Sequence, residues 1–171
     1  MALVKWMSAL KRSDAFRDAG NEAFRQNRYV EAIAHFDKAV DEARLWISCR
    51  VVGTTTREDA LVSSTSGGRD GDEKATAPLE KSLKRGRDRL VAALCNRALA
   101  RLRSDPPNPK RAEQDCHSAL EEDKDCVKAL YRRALARRAL NRTKQAIGDL
   151  DLLLQVCGRF VLLSPLQIPT L

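Results

Sequence analysis

Five polar side chains have the types and the spacing of an anion-binding site. Lys128 and Arg132 are four residues apart, as are Arg17 and Asn21, and Asn96 lies between the two pairs in the sequence. On a helix, residues four apart project from one face. Lys and Arg make charge-assisted hydrogen bonds to anions, and Asn amides add directional ones. If their helices line one groove, these residues predict a site for a ligand with two close negative groups.

The surrounding sequence has the apolar period of α-helices that occur in pairs. Apolar residues at spacings of three and four mark helices on both sides of short turns at 27–28 and 141–142. A further pair is separated by the proline-rich stretch 106–109, which ends its first helix. Helices joined by such short turns are antiparallel neighbours. Gly20 and Ala32 are small, so we expect the first two helices to cross there.

The helix pairs recur at a fixed distance along the chain. Ala112 and Ala146 are 34 residues apart, and Ala119 and Leu153 repeat this spacing. A helix–turn–helix unit of about 34 residues is the sequence signature of tetratricopeptide repeats. Three such units cover roughly residues 13–46, 90–123 and 127–157.

The first unit carries the closest resemblance to the tetratricopeptide repeat (TPR) family. Its sequence AGNEAFRQNRYVEAIAHFDKAV has small residues at Gly20, Ala32 and Ala39 and aromatic residues at Tyr29 and Phe36. The third unit matches without gaps but lacks both aromatics, and the second is interrupted by its proline turn. The resemblance implies an all-α fold in which three TPR helix–turn–helix repeats stack as a right-handed superhelix.

Segments outside the repeats complete the expected organisation. The stretch at about 47–78 is rich in Ser, Thr, Gly and charge, which predicts a disordered insert between repeats 1 and 2. Residues 1–12 are an N-terminal lead-in, 13–157 the TPR domain and 158–171 an irregular apolar tail. The inward face of the last helix is predicted to consist of Ala146, Ile147, Leu150, Leu153 and Leu154.

The end of the array leaves two interpretations open. TPR arrays usually end in an amphipathic helix that covers the last apolar face, and the tail has no helical period of that length. Either the tail packs irregularly over the third repeat, or the chain is a fragment or alternative product without its cap. In the second case we expect the neighbours of Leu150, Leu153 and Leu154 to be partly exposed, and we expect self-association or modest stability.

The five polar residues resemble the two-carboxylate clamp of chaperone-binding TPR domains. The matching strings are RDAGN, LCNRA and KALYR, in which four of the five residues are identical and Arg17 keeps the charge of a Lys. The resemblance implies a peptide ligand, the C-terminus of heat-shock proteins 70 and 90, which ends Glu-Glu-Val-Asp. Arg17, Asn21 and Asn96 would hold its main-chain carboxylate. Lys128, which also engages that carboxylate, and Arg132 would serve the acidic side chains and peptide backbone.

Each clamp residue also has an ordinary structural interpretation. A single Lys–Arg pair is most often a solvated helix face, and a single Asn most often satisfies a neighbouring helix. Five such residues at corresponding repeat positions favour the clamp. One alternative is a TPR scaffold that binds a different acidic protein through the same groove.

The net charge of +8 favours an anionic partner, and nucleic acid is a further alternative. The basic run 81–89, KSLKRGRDR, has the charge that phosphate binding needs. Few aromatic residues are available for base stacking, and no RNA-binding motif occurs. Acidic peptide is therefore favoured over nucleic acid.

Composition and motifs weigh against other classes of function. The five cysteines show no CxxC or Cys/His ligand spacing, so no metal is expected and the thiols are predicted to be reduced. No phosphate loop, HExxH motif or nucleophile elbow occurs. No apolar run approaches the roughly 20 residues that span a bilayer. We therefore expect a non-enzymatic adaptor without cofactor, small-molecule substrate or membrane partner, in the cytoplasm or alternatively the nucleus.

Overall fold

The computed structural model describes the backbone of residues 8–61 and 73–163 and the side chains of residues 8–49 and 80–158. Every regular element within these ranges is an α-helix. The helices are α1 (Ala9–Arg25), α2 (Tyr29–Leu61), α3 (Glu73–Arg103), α4 (Pro109–Glu122), α5 (Val127–Ala139) and α6 (Thr143–Leu163). The predicted all-α fold class is confirmed.

The helices pack as three antiparallel pairs arranged in two layers. Each helix contacts the next one along the chain, α1 also contacts α3, and α3 also contacts α5. No such contact joins α2 to α4 or α4 to α6 in the described ranges. The first helices of the three pairs therefore form one layer, α1, α3 and α5, and the second helices lie behind them. This is the predicted stack of helix–turn–helix repeats.

The turns of the first and third repeats have the same geometry. Asn27 and Asn141 both have φ of 59°, the left-handed conformation that Asn tolerates better than most residues. The next residue in each turn donates its N–H back to a carbonyl five residues earlier, Arg28 to Ala23 at 2.9 Å and Arg142 to Arg137 at 2.8 Å. These bonds satisfy carbonyls at the helix ends and direct the chain into the antiparallel partner.

The turn of the second repeat uses proline and a capping side chain instead. Pro109 occupies the first turn of α4, where its missing N–H leaves no intrahelical bond unmade. Asn108 precedes it as the N-cap, and its side chain accepts a hydrogen bond from the Arg111 N–H. The proline-rich stretch thus ends α3, as predicted, and its last proline also starts α4, one residue before the predicted start at Lys110.

Close contact between α1 and α2 depends on a glycine. A Cβ atom built on Gly20 would lie 2.6 Å from Cε1 of Phe36, which is too close for any real side chain. Ala32 and Phe36 are both buried on the facing surface of α2. The predicted crossing at Gly20 and Ala32 is confirmed. Deeper in the stack, one continuous apolar cluster connects α2 to α6 through Val40, Leu94, Leu130 and Val156.

Three helices extend beyond their predicted ends. The backbone is helical through Leu61 in α2 and from Glu73 in α3, so both flanks of the predicted insert are helical, whereas residues 62–72 lie outside the described residues. No proline occurs between Tyr29 and Leu61 to end α2. α1 begins at Ala9, within the predicted lead-in, and residues 1–7 lie outside the described range.

The last helix also differs from its prediction. α6 continues through Leu163, past the predicted end at Cys157, and residues 164–171 of the predicted tail lie outside the described range. Of its predicted inward face, Ala146 is buried and Leu153 partly buried. The prediction is wrong for Ile147, Leu150 and Leu154, which are exposed. The reason is that α6 contacts no described helix other than α5, so only one side of it is covered.

Candidate functional site

A chain of hydrogen bonds crosses the first layer of helices. Asn96 on α3 donates from Nδ2 to Oδ1 of Asn21 on α1 at 2.9 Å. Arg132 on α5 donates from Nη1 to Oδ1 of the same Asn96 at 3.4 Å. The structure therefore brings together three of the five predicted site residues, one from each repeat. We call the surface of α1, α3 and α5 that carries them the groove.

The central position of Asn96 determines which atoms of its neighbours remain available. Both polar atoms of the Asn96 side chain are used, Nδ2 toward Asn21 and Oδ1 toward Arg132. The Asn21 side chain acts as an acceptor in this chain, and its own amide N–H groups have no partner among the side chains described. Arg132 has no acidic partner there either. The groove thus presents unused donors at both ends of the chain.

Lys128 lies one helical turn before Arg132 in the first turn of α5. Its side chain is exposed and makes no ion pair within the described ranges. Lys128 and Arg132 therefore combine two positive charges at the groove without a carboxylate that neutralises them. Such a surface attracts an anion, and its attraction is screened by salt.

Arg17 is not part of the hydrogen-bonded chain. Its guanidinium pairs with two carboxylates of its own helix, Asp14 at 3.3 Å and Asp18 at 3.6 Å. Two carboxylates outside the predicted set thus lie against the cation that α1 contributes to it. The signal was present in the sequence, because Asp14 precedes Arg17 by three residues and therefore lies on the same helix face.

Sequence reasoning also missed Arg89 as a member of the groove. Arg89 on α3 donates from Nε to Oδ2 of Asp14 on α1 at 2.8 Å. The Asp14–Arg89 and Asn21–Asn96 contacts have the same sequence separation of 75 residues. The two helices therefore run parallel in register, and Asp14 and Arg89 form a second contact about two turns from the asparagines.

An apolar cavity adjoins the asparagine pair. It has a volume of about 360 Å³ and lies between α1, α2 and α3. Its polar edge is formed by Asn21, Asn96 and the charged Arg25, and its apolar walls by Phe24, Phe36 and Leu99. An apolar side chain of a peptide held at the asparagines would fit such a space.

The described ranges contain neither a membrane-spanning helix nor a metal-binding group of side chains. No helix there combines the length and the hydropathy needed to cross a membrane. No group of three or more His, Cys, Asp and Glu side chains in the same ranges is arranged to hold a metal ion.

The architecture and the groove define a TPR fold. The structure is similar to the second TPR of Spaghetti (RPAP3) bound to HSP90 peptide SRMEEVD, with a TM-score of 0.56 and 20% identity over 91% of this chain and 98% of that chain. It is also similar to the Arabidopsis OM64 TPR domain, with a TM-score of 0.57 and 22% identity over 88% of this chain and 87% of that one. No family model and no curated protein sequence matches the chain. At these identities the similarity establishes the fold alone. The first of these two structures has a peptide bound to that fold.

Proposed function

We propose that this protein is a non-enzymatic adaptor of the co-chaperone type. Its groove binds the acidic C-terminal peptide, ending Glu-Glu-Val-Asp or a close variant, of heat-shock protein 90, heat-shock protein 70 or both. The observation that carries the proposal is the Asn21–Asn96–Arg132 chain with Lys128 beside it. It offers amide and cationic donors from three repeats and contains no carboxylate.

The donors suit a chain end that carries two carboxylates. The Asn21 amide is available for one carboxylate, while Lys128 and Arg132 supply charge-assisted hydrogen bonds to the other and to the peptide backbone. Arg17 joins the site only by exchanging Asp14 or Asp18 for a ligand oxygen. The similarity to a TPR structure with a bound HSP90 peptide supports the same chemistry here. With a partner of this kind, we expect the protein to act in the cytoplasm or the nucleus.

Calorimetric titration of the full chain with a peptide ending Glu-Glu-Val-Asp tests the proposal. We expect the free acid to bind more tightly than its C-terminally amidated form by roughly tenfold or more, the value of one lost charged hydrogen bond. Binding should also weaken as salt rises. Equal affinity for both forms would indicate a scaffold for other acidic partners, and no binding of either would rule out the clamp.

Two charge-reversal variants, one at the groove and one away from it, test whether the peptide binds at the groove. Lys128→Glu is expected to abolish peptide binding while leaving the helical circular dichroism signal unchanged, because the side chain is exposed and unpaired in the described structure. Lys144→Glu introduces the same charge change on α6, away from the groove, and should retain wild-type affinity. Equal losses in both variants would mean that only net charge matters.

A further inference from the structure

Two cysteines meet where the second and third repeats pack together. Cys95 lies on α3 and Cys126 is the N-cap residue of α5. Their sulfur atoms are 3.9 Å apart, within hydrogen-bonding distance. Cys95 is buried, with 1% of its surface exposed, whereas Cys126 is partly buried at the edge of the same apolar cluster. Cys126 is therefore the more exposed thiol of the pair.

The two thiols differ in their protonation. The hydrogen bond from Cys95 lowers the pKa of Cys126 to about 6, helped by the backbone N–H groups of Ala129 and Lys128 and opposed by burial. The same hydrogen bond and burial raise the pKa of Cys95. The lowered pKa of Cys126, at the N-terminus of α5, and the raised pKa of Cys95 favour Cys126 as the thiolate of the pair and Cys95 as its hydrogen-bond donor.

The surroundings of the pair contribute smaller effects. Asp123, just before α5, raises the pKa of Cys126, and Arg132 on α5 lowers that of Cys95. Cys116 on α4 is a third thiol nearby, and burial raises its pKa to about 12. Cys116 is fully buried and therefore neither ionised nor accessible at neutral pH. Among these three thiols, Cys126 alone combines a lowered pKa with partial exposure.

We propose that Cys95 and Cys126 form a peroxide-reactive dithiol that closes to a disulfide and weakens peptide binding in the groove. The Cys126 thiolate attacks one oxygen of hydrogen peroxide, the O–O bond breaks, and the hydroxide that leaves takes up the proton that Cys126 had released to solvent, which gives the first water. The resulting sulfenic acid is attacked by the Cys95 sulfur, the S–O bond breaks, and a second water leaves with the Cys95 proton. The two thiols lose two electrons together and the peroxide gains them.

The position of the pair connects this chemistry to the groove. Cys95 immediately precedes Asn96, and Cys126 lies two residues before Lys128. Disulfide formation brings the sulfurs from 3.9 Å to about 2.0 Å and so draws the start of α5 toward α3. This movement shifts Lys128 relative to Asn96. The effect on peptide binding rests on the proposed function, whereas the dithiol itself does not.

The first experiment treats the full-length reduced protein with equimolar hydrogen peroxide at neutral pH and maps its peptides by mass spectrometry without reduction. We expect one Cys95–Cys126 cross-link, reversed by dithiothreitol. Cys126→Ser should prevent it, and Cys95→Ser should leave a Cys126 sulfenic acid that dimedone traps. The matched control Cys49→Ser removes an exposed thiol elsewhere and should cross-link as the wild type does. Preferential oxidation of Cys49, or any other pairing, would overturn the proposal.

The pH profile gives a readout that does not depend on the variants folding. Alkylation of wild-type Cys126 by iodoacetamide, followed by mass spectrometry, should reach half its maximal rate near the pH that equals its pKa of about 6. A midpoint at the ordinary thiol value of about 8.5 would exclude Cys126 as the first thiol to react.

The groove effect is measured by titrating acidic peptide into oxidised and reduced protein. We expect at least a threefold loss of affinity on oxidation, which corresponds to about 0.7 kcal/mol or more, and its restoration by dithiothreitol. Equal affinity of the two forms would refute the effect on the groove. Absence of peptide binding to the reduced form would instead refute the proposed function and leave the cross-linking result standing.

Discussion

Asp14 is the residue that most changes the expected chemistry of the groove. It accepts from Arg89 at 2.8 Å and pairs with Arg17 at 3.3 Å, so it binds one cation on each of two neighbouring helices. A ligand carboxylate that approaches Arg17 therefore competes with a carboxylate already in place. The charge at this end of the groove is lower than a count of its arginines suggests.

Replacing Asp14 by Asn should tighten binding of an acidic peptide. The change keeps the side chain's shape, removes its negative charge, releases Arg89 for the ligand and leaves Arg17 paired with Asp18 only, among the described residues. We expect the affinity to rise about three- to tenfold at low salt, in line with the strength of a partly exposed ion pair. Calorimetric titration measures the change.

A matched control separates the local effect from net charge. Asp151→Asn makes the same change at an exposed position on α6, a helix that contacts neither α1 nor α3. It should bind peptide as the wild type does. Weaker binding by the Asp14 variant would show instead that Asp14 holds Arg17 in position for the ligand.

In the second repeat and in the third, a buried ion cluster joins the two helices of the same repeat. In both repeats, two arginines four apart on the first helix bind one buried aspartate of the second helix. These are Arg97, Arg101 and Asp115 in the second repeat and Arg133, Arg137 and Asp149 in the third. The spacing of these arginines is the same as that of Lys128 and Arg132. The two kinds of cation differ in the side of the helix on which they lie. Those on the side toward the second helix of the repeat form ion pairs within the fold, and those on the other side face the groove.

Asp149 is a better position than Asp115 for testing the contribution of these clusters to stability, because its side chain is the more deeply buried of the two. Its side chain is 2% exposed and lies 2.6 Å from Arg133 and 2.8 Å from Arg137. Asp149→Ala leaves both guanidinium groups partly buried without this partner, so the free energy of unfolding should fall by about 3 kcal/mol. Urea denaturation followed by circular dichroism measures it. The exposed Asp151→Ala on the same helix should stay within about 0.5 kcal/mol of wild type, and equal effects would contradict the role of the cluster.

The sequence predicted the elements better than their ends and cross-contacts. Local spacing was sufficient for the three helix pairs and for the small residue at Gly20, because both depend on neighbours within one repeat. Gly86 was not predicted as a contact, although a Cβ there would lie 2.5 Å from the Trp46 ring. That approach depends on how α2 and α3 meet across a long intervening segment. The helical flanks of the insert were missed because polar residues without proline are compatible with helix as well as with disorder.

In the candidate site too, some contacts could be predicted from local spacing, whereas others depend on how the repeats pack together. Repeat positions predicted that Asn21, Asn96 and Arg132 would face one surface, and they form a hydrogen-bonded chain. The pairing of Asp14 with Arg89 joins residues 75 positions apart. It required the parallel register of α1 and α3, which no local pattern contains. The positions of the cations in the groove can thus be predicted from sequence spacing. Which of them are paired with a carboxylate depends on how α1, α3 and α5 pack together.

At the scale of the whole molecule, the last helix has an apolar face that none of the described residues covers. On α6, Ile147 is 54%, Leu150 40% and Leu154 66% exposed. They lie at spacings of three and four and therefore form one stripe. Within the described residues α6 contacts only α5, so this stripe has the position at which a further repeat or cap would pack. A contiguous apolar stripe favours association, whereas single exposed apolar side chains do not.

We therefore expect concentration-dependent self-association through α6, measurable by sedimentation velocity. The double variant Ile147→Lys, Leu154→Lys should be monomeric at concentrations where the wild type associates. Its thermal stability should change little, because both side chains are already exposed. Val30→Lys is the control, since Val30 is 74% exposed on α2 but has no exposed large apolar side chain three or four residues away; it should associate as the wild type does. A monomeric wild type, or association that only the Val30 variant abolishes, would contradict a contact through α6. Because the groove is lined by α1, α3 and α5, association through α6 should leave peptide affinity unchanged, and a titration at both concentrations tests that independence.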